Sequence, residues 1–233
     1  MVYTKHQAKE SHVLKVVVII AAIVGIFLSV YAEKDSFMSG ANVFMYFTIQ
    51  SNILIAIISA LGFYYMKKDD PGKVWPIVML VATVAITLTG FVFCFVLAPT
   101  LGSETWRIKN ILTHVVVPVA AIADFFVVGR KFTISRKNTI FVIIPPLLYA
   151  LYAGLAYIKG WQFSEGYNYP YFFLNWGSKA GAFGFTNELP FMGCMWWIIA
   201  LFLFLMLVGN IYLSILTRLK VKTEEINIDG KSE

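Results

Sequence analysis

Two polar residues inside apolar runs are the residues of this chain best suited to chemistry. Thr48 belongs to a polar stretch, residues 46–52 (YFTIQSN), in an apolar run that continues to Met66, and His114 lies in another apolar run. Hydrocarbon offers polar side chains no water, so they must face protein, a wet cavity or one another. A threonine hydroxyl is a weak nucleophile until a base such as histidine removes its proton. Thr48 and His114 are therefore the candidate nucleophile and base.

Helical spacing places a second polar residue beside each candidate. Thr48 and Asn52 are four residues apart, as are Asn110 and His114, so each pair shares one helix face. Either asparagine amide is a candidate donor to an oxyanion that develops when the hydroxyl attacks. The other candidates for contact with a substrate are Ser51, Thr87, Tyr169 and Tyr171, and the helix-three threonines that are candidates to line the same cavity are Thr83, Thr87 and Thr89.

Depth along the predicted helices brings the two candidates to a similar level. Thr48 lies six residues beyond Asn42, where the second apolar run begins, and His114 lies six residues beyond Ile108, where the fourth begins. At about 1.5 Å per residue, each side chain is about 9 Å along its helix axis. Since both runs are predicted to cross in the same direction, we expect the hydroxyl and the imidazole to meet in the outer half of the bilayer.

Two further residues of the fourth run are predicted to support the site. Pro118 is four residues after His114 and offers no N–H to the His114 carbonyl, so the helix should loosen or kink there. Asp124 is about 15 Å deeper than His114, too far for a compact catalytic triad. We expect Asp124 to pair with Arg130 or Lys131, or to support the packing of this helix.

The composition is that of a polytopic membrane protein. Hydrophobic residues make up 59% and charged residues 14% of the chain, with a mean hydropathy of +0.73, which soluble domains rarely reach. Apolar runs of about 20 residues fit the hydrocarbon core of a bilayer. We expect an all-α, six-helix transmembrane domain over residues 1–220 and a disordered cytoplasmic tail over residues 221–233. The predicted spans are residues 13–32, 42–66, 75–97, 108–128, 139–158 and 191–216.

Basic residues set the predicted orientation. Of the 19 lysines and arginines, 14 lie near the N-terminus, in the loops after the second and fourth spans, or in the C-terminal tail. Because basic loops remain cytoplasmic, both termini are predicted to be cytoplasmic and the candidate site to face the outer leaflet of a cell membrane. The net charge of +6 is then explained by these loops and is not a sign of nucleic-acid binding.

The connection before the last span is unusually long and aromatic. Residues 159–189 contain ten phenylalanine, tyrosine and tryptophan residues and five glycines, and a loop of this length is uncommon within a helical bundle. One interpretation is an interfacial aromatic belt. The other is a cap folded back over an outward-facing cavity, in which the glycines permit the turns.

Several kinds of site are disfavoured. His6 and His12 lie in the N-terminal region, which leaves one intramembrane histidine and no clustered carboxylates, so we expect no metal and no other cofactor. Neither a phosphate-binding glycine loop nor a G-x-S-x-G serine elbow is present. Cys94 and Cys194 fit no metal-ligand spacing; a disulfide between them is possible, but free thiols are favoured.

The order of these motifs resembles a known family. Thr48 lies in a second helix flanked by aromatic residues. His114 precedes a tract that contains Pro118 and ends in the acidic residue Asp124. A Tyr-Pro segment, residues 169–171, precedes the last helix. Together they resemble the androgen-induced-gene and androgen-dependent TFPI-regulating membrane proteins, and residues 49–52 (IQSN) are most similar to their bacterial relatives.

The resemblance implies a multipass threonine hydrolase that cleaves fatty acid esters of hydroxy fatty acids, with Thr48 as nucleophile and His114 as general base. Its substrate would be a lipid drawn from the bilayer. Two alternatives remain open from the residues alone. In a small-solute transporter or channel subunit, the polar helix faces would line a route for the solute across the bilayer. The apolar inner halves of helices two and five argue against such a route. In a non-catalytic lipid-binding protein or scaffold, Thr48 and His114 would only hydrogen-bond each other. Thr48, Ser51 and Asn52 would then be interhelical hydrogen-bonding groups.

Overall fold

Six long helices form the fold, as the sequence predicts. The structure, a computed structural model, describes residues 3–32, 40–68 and 70–229. All six helices are long and apolar enough to cross a membrane, so the prediction of a polytopic all-α membrane protein is confirmed. They are α1 (Lys5–Val30), α2 (Phe47–Tyr65), α3 (Val74–Leu101), α4 (Ile108–Gly129), α5 (Arg136–Ile158) and α6 (Cys194–Asp229).

Small residues allow α1 to pack closely along α4. Ala21, Ala22 and Gly25 of α1 are buried, and a Cβ atom added at Gly25 would lie 2.6 Å from Thr113 Cγ2 of α4. Close backbone approach at small residues is a common way for helices to associate in membranes. The contact fixes α4 beside α1 at the level of His114.

A buried ion pair also joins α1 to α4, which corrects the partner predicted for Asp124. Lys15 Nζ lies 2.6 and 2.8 Å from the two carboxylate oxygens of Asp124 and 2.7 Å from Ser11 Oγ, so all three ammonium protons have acceptors. Asp124 pairs with Lys15, and not with Arg130 or Lys131, because α1 lies alongside α4 whereas those two residues follow the end of α4.

Two helices of the bundle each contain a π-helical turn before a proline. The turn in α3 spans Phe93–Leu97 and precedes Pro99, and the turn in α4 spans Leu112–Val116 and precedes Pro118. A proline has no N–H for the usual carbonyl, and π turns are often found at functional sites. The expected loosening of α4 near Pro118 takes this form.

Several boundaries differ from the sequence-based expectation. The first helix begins at Lys5, before the predicted start at residue 13, and α3 continues to Leu101, beyond the predicted end at residue 97. Because residues Gly40–Met45 form a 3₁₀ helix, α2 begins only at Phe47 and Thr48 is its second residue. In α5, a 3₁₀ segment over Arg136–Ile143 precedes the α-helical part. The helix α6 continues to Asp229, although a disordered tail is predicted from residue 221. The helix can continue because no proline or glycine interrupts this polar stretch before residue 230.

The α-helical part of α5, Ile144–Ile158, stands apart from α6. Most close contacts of α6 with α5 involve the 3₁₀ segment, Arg136–Ile143. Pro145 and Pro146 lie at the start of the α-helical part, where the 3₁₀ segment changes to α-helix. Side chains of both α5 and α6 line a cavity in the space between them.

Candidate functional site

Thr48 and His114 meet in the interior of the bundle. The Thr48 Oγ1 atom lies 3.3 Å from His114 Nε2, and each residue is about 95% buried (5% exposed). Thr48 is in the first turn of α2 and His114 is in the π turn of α4. The two helices therefore bring together the hydroxyl and the imidazole that the sequence predicts as partners, although Thr48 lies nearer its helix start than expected.

Hydrogen bonding fixes which imidazole nitrogen faces the threonine. His114 Nδ1 lies 3.0 Å from the backbone carbonyl oxygen of Asn110, which can only accept, so Nδ1 carries the proton. Thr113 Oγ1 is also 3.0 Å from Nδ1 and donates its own proton to the Lys109 carbonyl. The neutral ring then presents the Nε2 lone pair to the Thr48 hydroxyl, which is the arrangement of a nucleophile, a base and an orienting group.

Phe93 holds the imidazole from the other side. Its ring stacks on His114 with centroids 3.9 Å apart and planes at 22°. Phe93 opens the π turn of α3, and His114 lies in the π turn of α4. Sequence reasoning missed Phe93, but Pro99 shortly after it was an available signal for an irregular turn in α3.

Gly90 is required for α3 to approach the histidine this closely. A Cβ atom added at Gly90 would lie 2.9 Å from the His114 carbonyl oxygen and 3.2 Å from Pro118 Cβ. We expect Gly90→Ala to lower the free energy of unfolding by about 1–3 kcal/mol through overpacking. Denaturant unfolding in detergent, followed by circular dichroism, measures the change.

Gly154→Ala in α5 is the matched control for this prediction. The nearest atom to a Cβ at Gly154 is Trp176 Nε1 at 3.9 Å, so the extra methyl group has room. Because alanine favours a helix over glycine by about 1 kcal/mol, this variant should be as stable as the parent or more so. Equal stability of both variants would contradict the close packing of α3 on α4.

Tyr171 belongs to the connection between α5 and α6, residues 159–193, which we call the aromatic segment. It brings a phenol next to Thr48. Its hydroxyl lies 3.5 Å from Thr48 Oγ1 and 3.4 Å from the Thr48 backbone nitrogen, and its ring stacks on Phe173. Burial raises the pKa of the Tyr171 phenol, against the opposing effect of its hydrogen bonds to Thr48. Tyr171 is therefore a neutral hydrogen-bond donor near the nucleophile.

The inner part of the aromatic segment is a cap over this site. Phe163, Tyr171, Phe173 and Leu174 are all buried, and the edge of the Tyr46 ring meets both Phe163 and Tyr171. Their side chains pack against Tyr46 at the start of α2 and against Tyr149 and Tyr152 of α5. The cap interpretation of this segment therefore describes residues 163–174.

Neither asparagine amide points at the threonine hydroxyl. Asn52 Nδ2 donates to the carbonyl oxygens of Thr48 at 2.7 Å and Thr113 at 3.1 Å, so it ties α2 to α4. Asn110 Nδ2 donates to the Thr105 carbonyl at 2.9 Å, before the start of α4. The structure thus gives both amides backbone acceptors in place of the oxyanion role predicted for them.

The remaining polar candidates differ in their distance from the site. Ser51 lies behind Thr48, where its hydroxyl donates to the Thr48 carbonyl and is 2.7 Å from Thr89 Oγ1, and Thr89 lines the cavity beside Thr48. Thr87 points to α6, where it is 2.8 Å from Tyr212. Tyr169 packs against Tyr167 and does not line the cavity.

A small apolar cavity adjoins Thr48 and His114. Its volume is about 60 Å³, below the roughly 300–1,000 Å³ of a typical small-molecule site. Half-buried residues of α5 and α6, including Ala150, Ile198 and Leu201, line its side, so the cavity lies between these two helices.

Tyr149 is a second lining residue that sequence reasoning missed. It lies on α5, its hydroxyl donates to the Met45 carbonyl at 3.1 Å, and its ring meets Phe47 edge-on. A tyrosine within an apolar run carries no local signal that distinguishes a cavity wall from an ordinary core position. The position of Tyr149 in the cavity wall follows only from the separation of α5 from α6 in the folded chain.

Other chemistries find less support in the described residues. Cys94 and Cys194 are free thiols. Within residues 3–32, 40–68 and 70–229, no group of three histidine, cysteine or acidic residues is placed to hold a metal ion. Comparison of the chain with protein-family models, curated proteins and solved structures finds no match.

Proposed function

We propose that this membrane protein is an intramembrane lipid ester hydrolase in which Thr48 is the nucleophile and His114 the general base. The observation that carries the proposal is the 3.3 Å contact between Thr48 Oγ1 and His114 Nε2, with the proton of the imidazole held on Nδ1 by the Asn110 carbonyl. A buried hydroxyl beside a neutral, oriented imidazole is the arrangement that activates a weak nucleophile.

The reaction follows from this arrangement in two halves. As Thr48 Oγ1 attacks the ester carbonyl carbon, its proton moves to His114 Nε2, and the carbonyl oxygen becomes an oxyanion. The tetrahedral intermediate then breaks its bond to the alcohol oxygen, which leaves with the proton from Nε2. Water, deprotonated by the same nitrogen, attacks the acyl-threonine and releases the acid and the free Thr48 hydroxyl.

Two donors are in reach of the developing oxyanion. The Tyr171 hydroxyl and the Thr48 backbone N–H lie next to the nucleophile, and the N–H donates to the Tyr171 oxygen at 3.4 Å, from which it can turn to the oxyanion. Thr48 is the second residue of α2, so its N–H is one of the amides that a helix start leaves without an intrahelical acceptor. Both donors are fixed before the reaction, and fixed donors stabilise charge that develops in the transition state.

The surroundings favour a lipid as the substrate. The cavity wall is almost wholly apolar and reaches the side of the bundle between α5 and α6, where a chain enters from the bilayer. The family resemblance narrows the class to fatty acid esters of hydroxy fatty acids. From the distribution of basic residues, we expect the reaction to take place in the outer half of a cell membrane.

Tyr171→Phe tests the oxyanion donor. The variant keeps the ring that stacks on Phe173 and removes only the hydroxyl. We expect kcat to fall by about 10²–10³-fold, as when one oxyanion donor is removed from other hydrolases, with little change in KM. Tyr169→Phe is the matched control, since this nearby tyrosine does not line the cavity, and an equal loss in both variants would contradict the role of Tyr171.

The test of the proposal itself is the release of acid from a lipid ester. Purified protein in nanodiscs is supplied with fatty acid esters of hydroxy fatty acids, and free fatty acid is measured by mass spectrometry. Steady release above protein-free nanodiscs is the expected result. Recovery of a tightly bound, unchanged ester would instead favour a non-catalytic lipid-binding protein.

A further inference from the structure

The outer part of the aromatic segment presents apolar side chains to the outside of the protein. Residues 183–192, which we call the hairpin, carry four exposed large apolar residues. Phe185 is 74% exposed, which is unusual for a phenylalanine in a structured segment. Clustered exposed apolar surface of this kind marks a site of contact with a protein or a membrane. The four residues are Phe183, Phe185, Leu189 and Phe191.

Backbone hydrogen bonds hold the hairpin in a defined shape. Phe185 and Met192 form an antiparallel bridge, and the Thr186 N–H donates to the Phe191 carbonyl at 2.8 Å. Phe191 has a φ of +65°, a conformation that is uncommon for a bulky residue. The fold thus holds an exposed phenylalanine in a strained conformation at the base of the hairpin, which indicates a role for its outward position.

The hairpin is attached to the first turn of α6. Trp196 Nε1 donates to the Phe183 carbonyl at 2.8 Å, and the Trp196 ring contacts the rings of both Phe183 and Phe185. These three aromatic residues therefore form one cluster. Any surface that covers Trp196 also covers the cluster.

The cluster continues the face of α6 that points away from the bundle. Trp196, Ile199, Leu203 and Leu207 are exposed, and their spacing of three or four residues places them on one side of the helix. Because α6 is long and apolar enough to span a membrane, this side faces lipid. The hairpin thus extends a lipid-facing surface beyond the start of α6.

Tryptophans at the ends of two other helices mark the same level. Trp106 lies just before α4, Trp161 lies just after α5, and both are exposed. Tryptophan is enriched at the boundary between hydrocarbon and water. Trp196 lies in the first turn of α6, so the cluster is at the boundary that Trp106 and Trp161 define.

We propose that the hairpin is a membrane anchor that inserts its aromatic side chains into the lipid interface beside α6. Its partner is the lipid surface itself, on the side of the bilayer where the 159–193 segment lies. The anchor ties the outer part of this segment to the membrane, while the inner part caps the cavity through Tyr171. It is independent of the hydrolase proposal, because it depends only on the exposed surface.

Spin labels at two equally exposed positions test the anchor. Phe185→Cys and Glu188→Cys, in the hairpin, are each modified with a nitroxide in the full chain in phosphatidylcholine nanodiscs. The side chains that they replace are similarly open, with Phe185 74% exposed and the Glu188 side chain 76% exposed. Power-saturation EPR then compares collisions with oxygen, which concentrates in lipid, and with a water-soluble nickel chelate. The unsubstituted protein, treated with the same reagent, corrects for Cys94 and Cys194.

The expected result is a label at position 185 that oxygen relaxes more than nickel and a label at position 188 with the opposite preference. Lipid insertion predicts this contrast because Phe185 belongs to the inserted aromatic cluster, whereas the charged Glu188 side chain stays in water. Without insertion, two equally exposed positions only three residues apart should behave alike. Equal access of nickel to both labels would place the hairpin in water and overturn the proposal. A label at 185 shielded from both reagents would also overturn it, since that result indicates a protein partner in place of lipid.

Discussion

His114→Gln is expected to lower kcat for ester hydrolysis by about 10²–10⁴-fold, the usual contribution of a general base. Glutamine retains a polar side chain of similar length but has no basic nitrogen to face Thr48 Oγ1, which lies 3.3 Å from Nε2 in the native site. Thr48→Val, which replaces the hydroxyl by a methyl group, should cause a loss of similar or larger size. Acid release from nanodisc-embedded protein measures both effects.

The control for the imidazole is His12→Gln. His12 is an exposed residue of α1 that contacts the Ala8 carbonyl, far in sequence from the site, and its replacement should leave kcat unchanged. Circular dichroism and size-exclusion chromatography show whether His114→Gln remains folded. Undiminished turnover in folded His114→Gln or Thr48→Val would remove the pair from the reaction.

Lys15→Met is expected to give the largest loss of stability, about 3–5 kcal/mol in the free energy of unfolding. Methionine keeps the length and apolar stem of the lysine but leaves the Asp124 carboxylate without its ammonium partner. That carboxylate is almost fully buried, with its side chain 4% exposed, and an unpaired charge in such a place is costly. Unfolding in a mixed detergent series, followed by circular dichroism, measures the change.

Two variants sharpen this prediction. Lys9→Met changes an exposed lysine of the same helix and should be nearly neutral. The double variant Lys15→Met/Asp124→Leu removes both charges and should recover much of the stability that the single variant loses, because replacing a whole buried pair by apolar residues is often neutral. A single variant as stable as the parent would show that Asp124 is not a buried, charge-paired group.

The sequence was sufficient to predict the six helices and the Thr48–His114 contact. The helices could be predicted because each long apolar run must span hydrocarbon. The Thr48–His114 contact could be predicted because polar residues within hydrocarbon need partners. The depth calculation placed Thr48 too far along its helix, since residues 40–45 form a 3₁₀ segment. The contact nevertheless occurs, with Thr48 Oγ1 3.3 Å from His114 Nε2.

Partner choice between neighbouring helices was harder to predict. Asp124 pairs with Lys15 because α1 lies alongside α4, and the chain alone does not indicate which helices are neighbours. For the same reason, the sequence did not show that the Asn52 amide is used to join α2 to the Thr113 carbonyl. Every residue has a backbone carbonyl, so the sequence does not show which carbonyl will accept a hydrogen bond from the Asn52 amide.

The geometry of the histidine also depends on features without a local sequence pattern. His114, in the π turn of α4, is oriented by the carbonyl of Asn110 just before that turn and by the ring of Phe93 in the π turn of α3. Pro118 and Pro99 mark these turns, but a proline does not specify which side chain the widened turn will present. Likewise, the aromatic segment divides into a cap and an exposed hairpin only when the chain is folded.

The most direct test of the account is to trap the acyl-accepting residue. A fluorophosphonate with a long alkyl chain is incubated with the protein in nanodiscs, and the modified peptide is sequenced by mass spectrometry. The account predicts one adduct, on Thr48, with much slower labelling in His114→Gln. Labelling of Ser51, whose hydroxyl is instead 2.7 Å from Thr89 Oγ1, would contradict it. Complete inhibition of ester hydrolysis by the probe while Thr48 stays unmodified would contradict it as well.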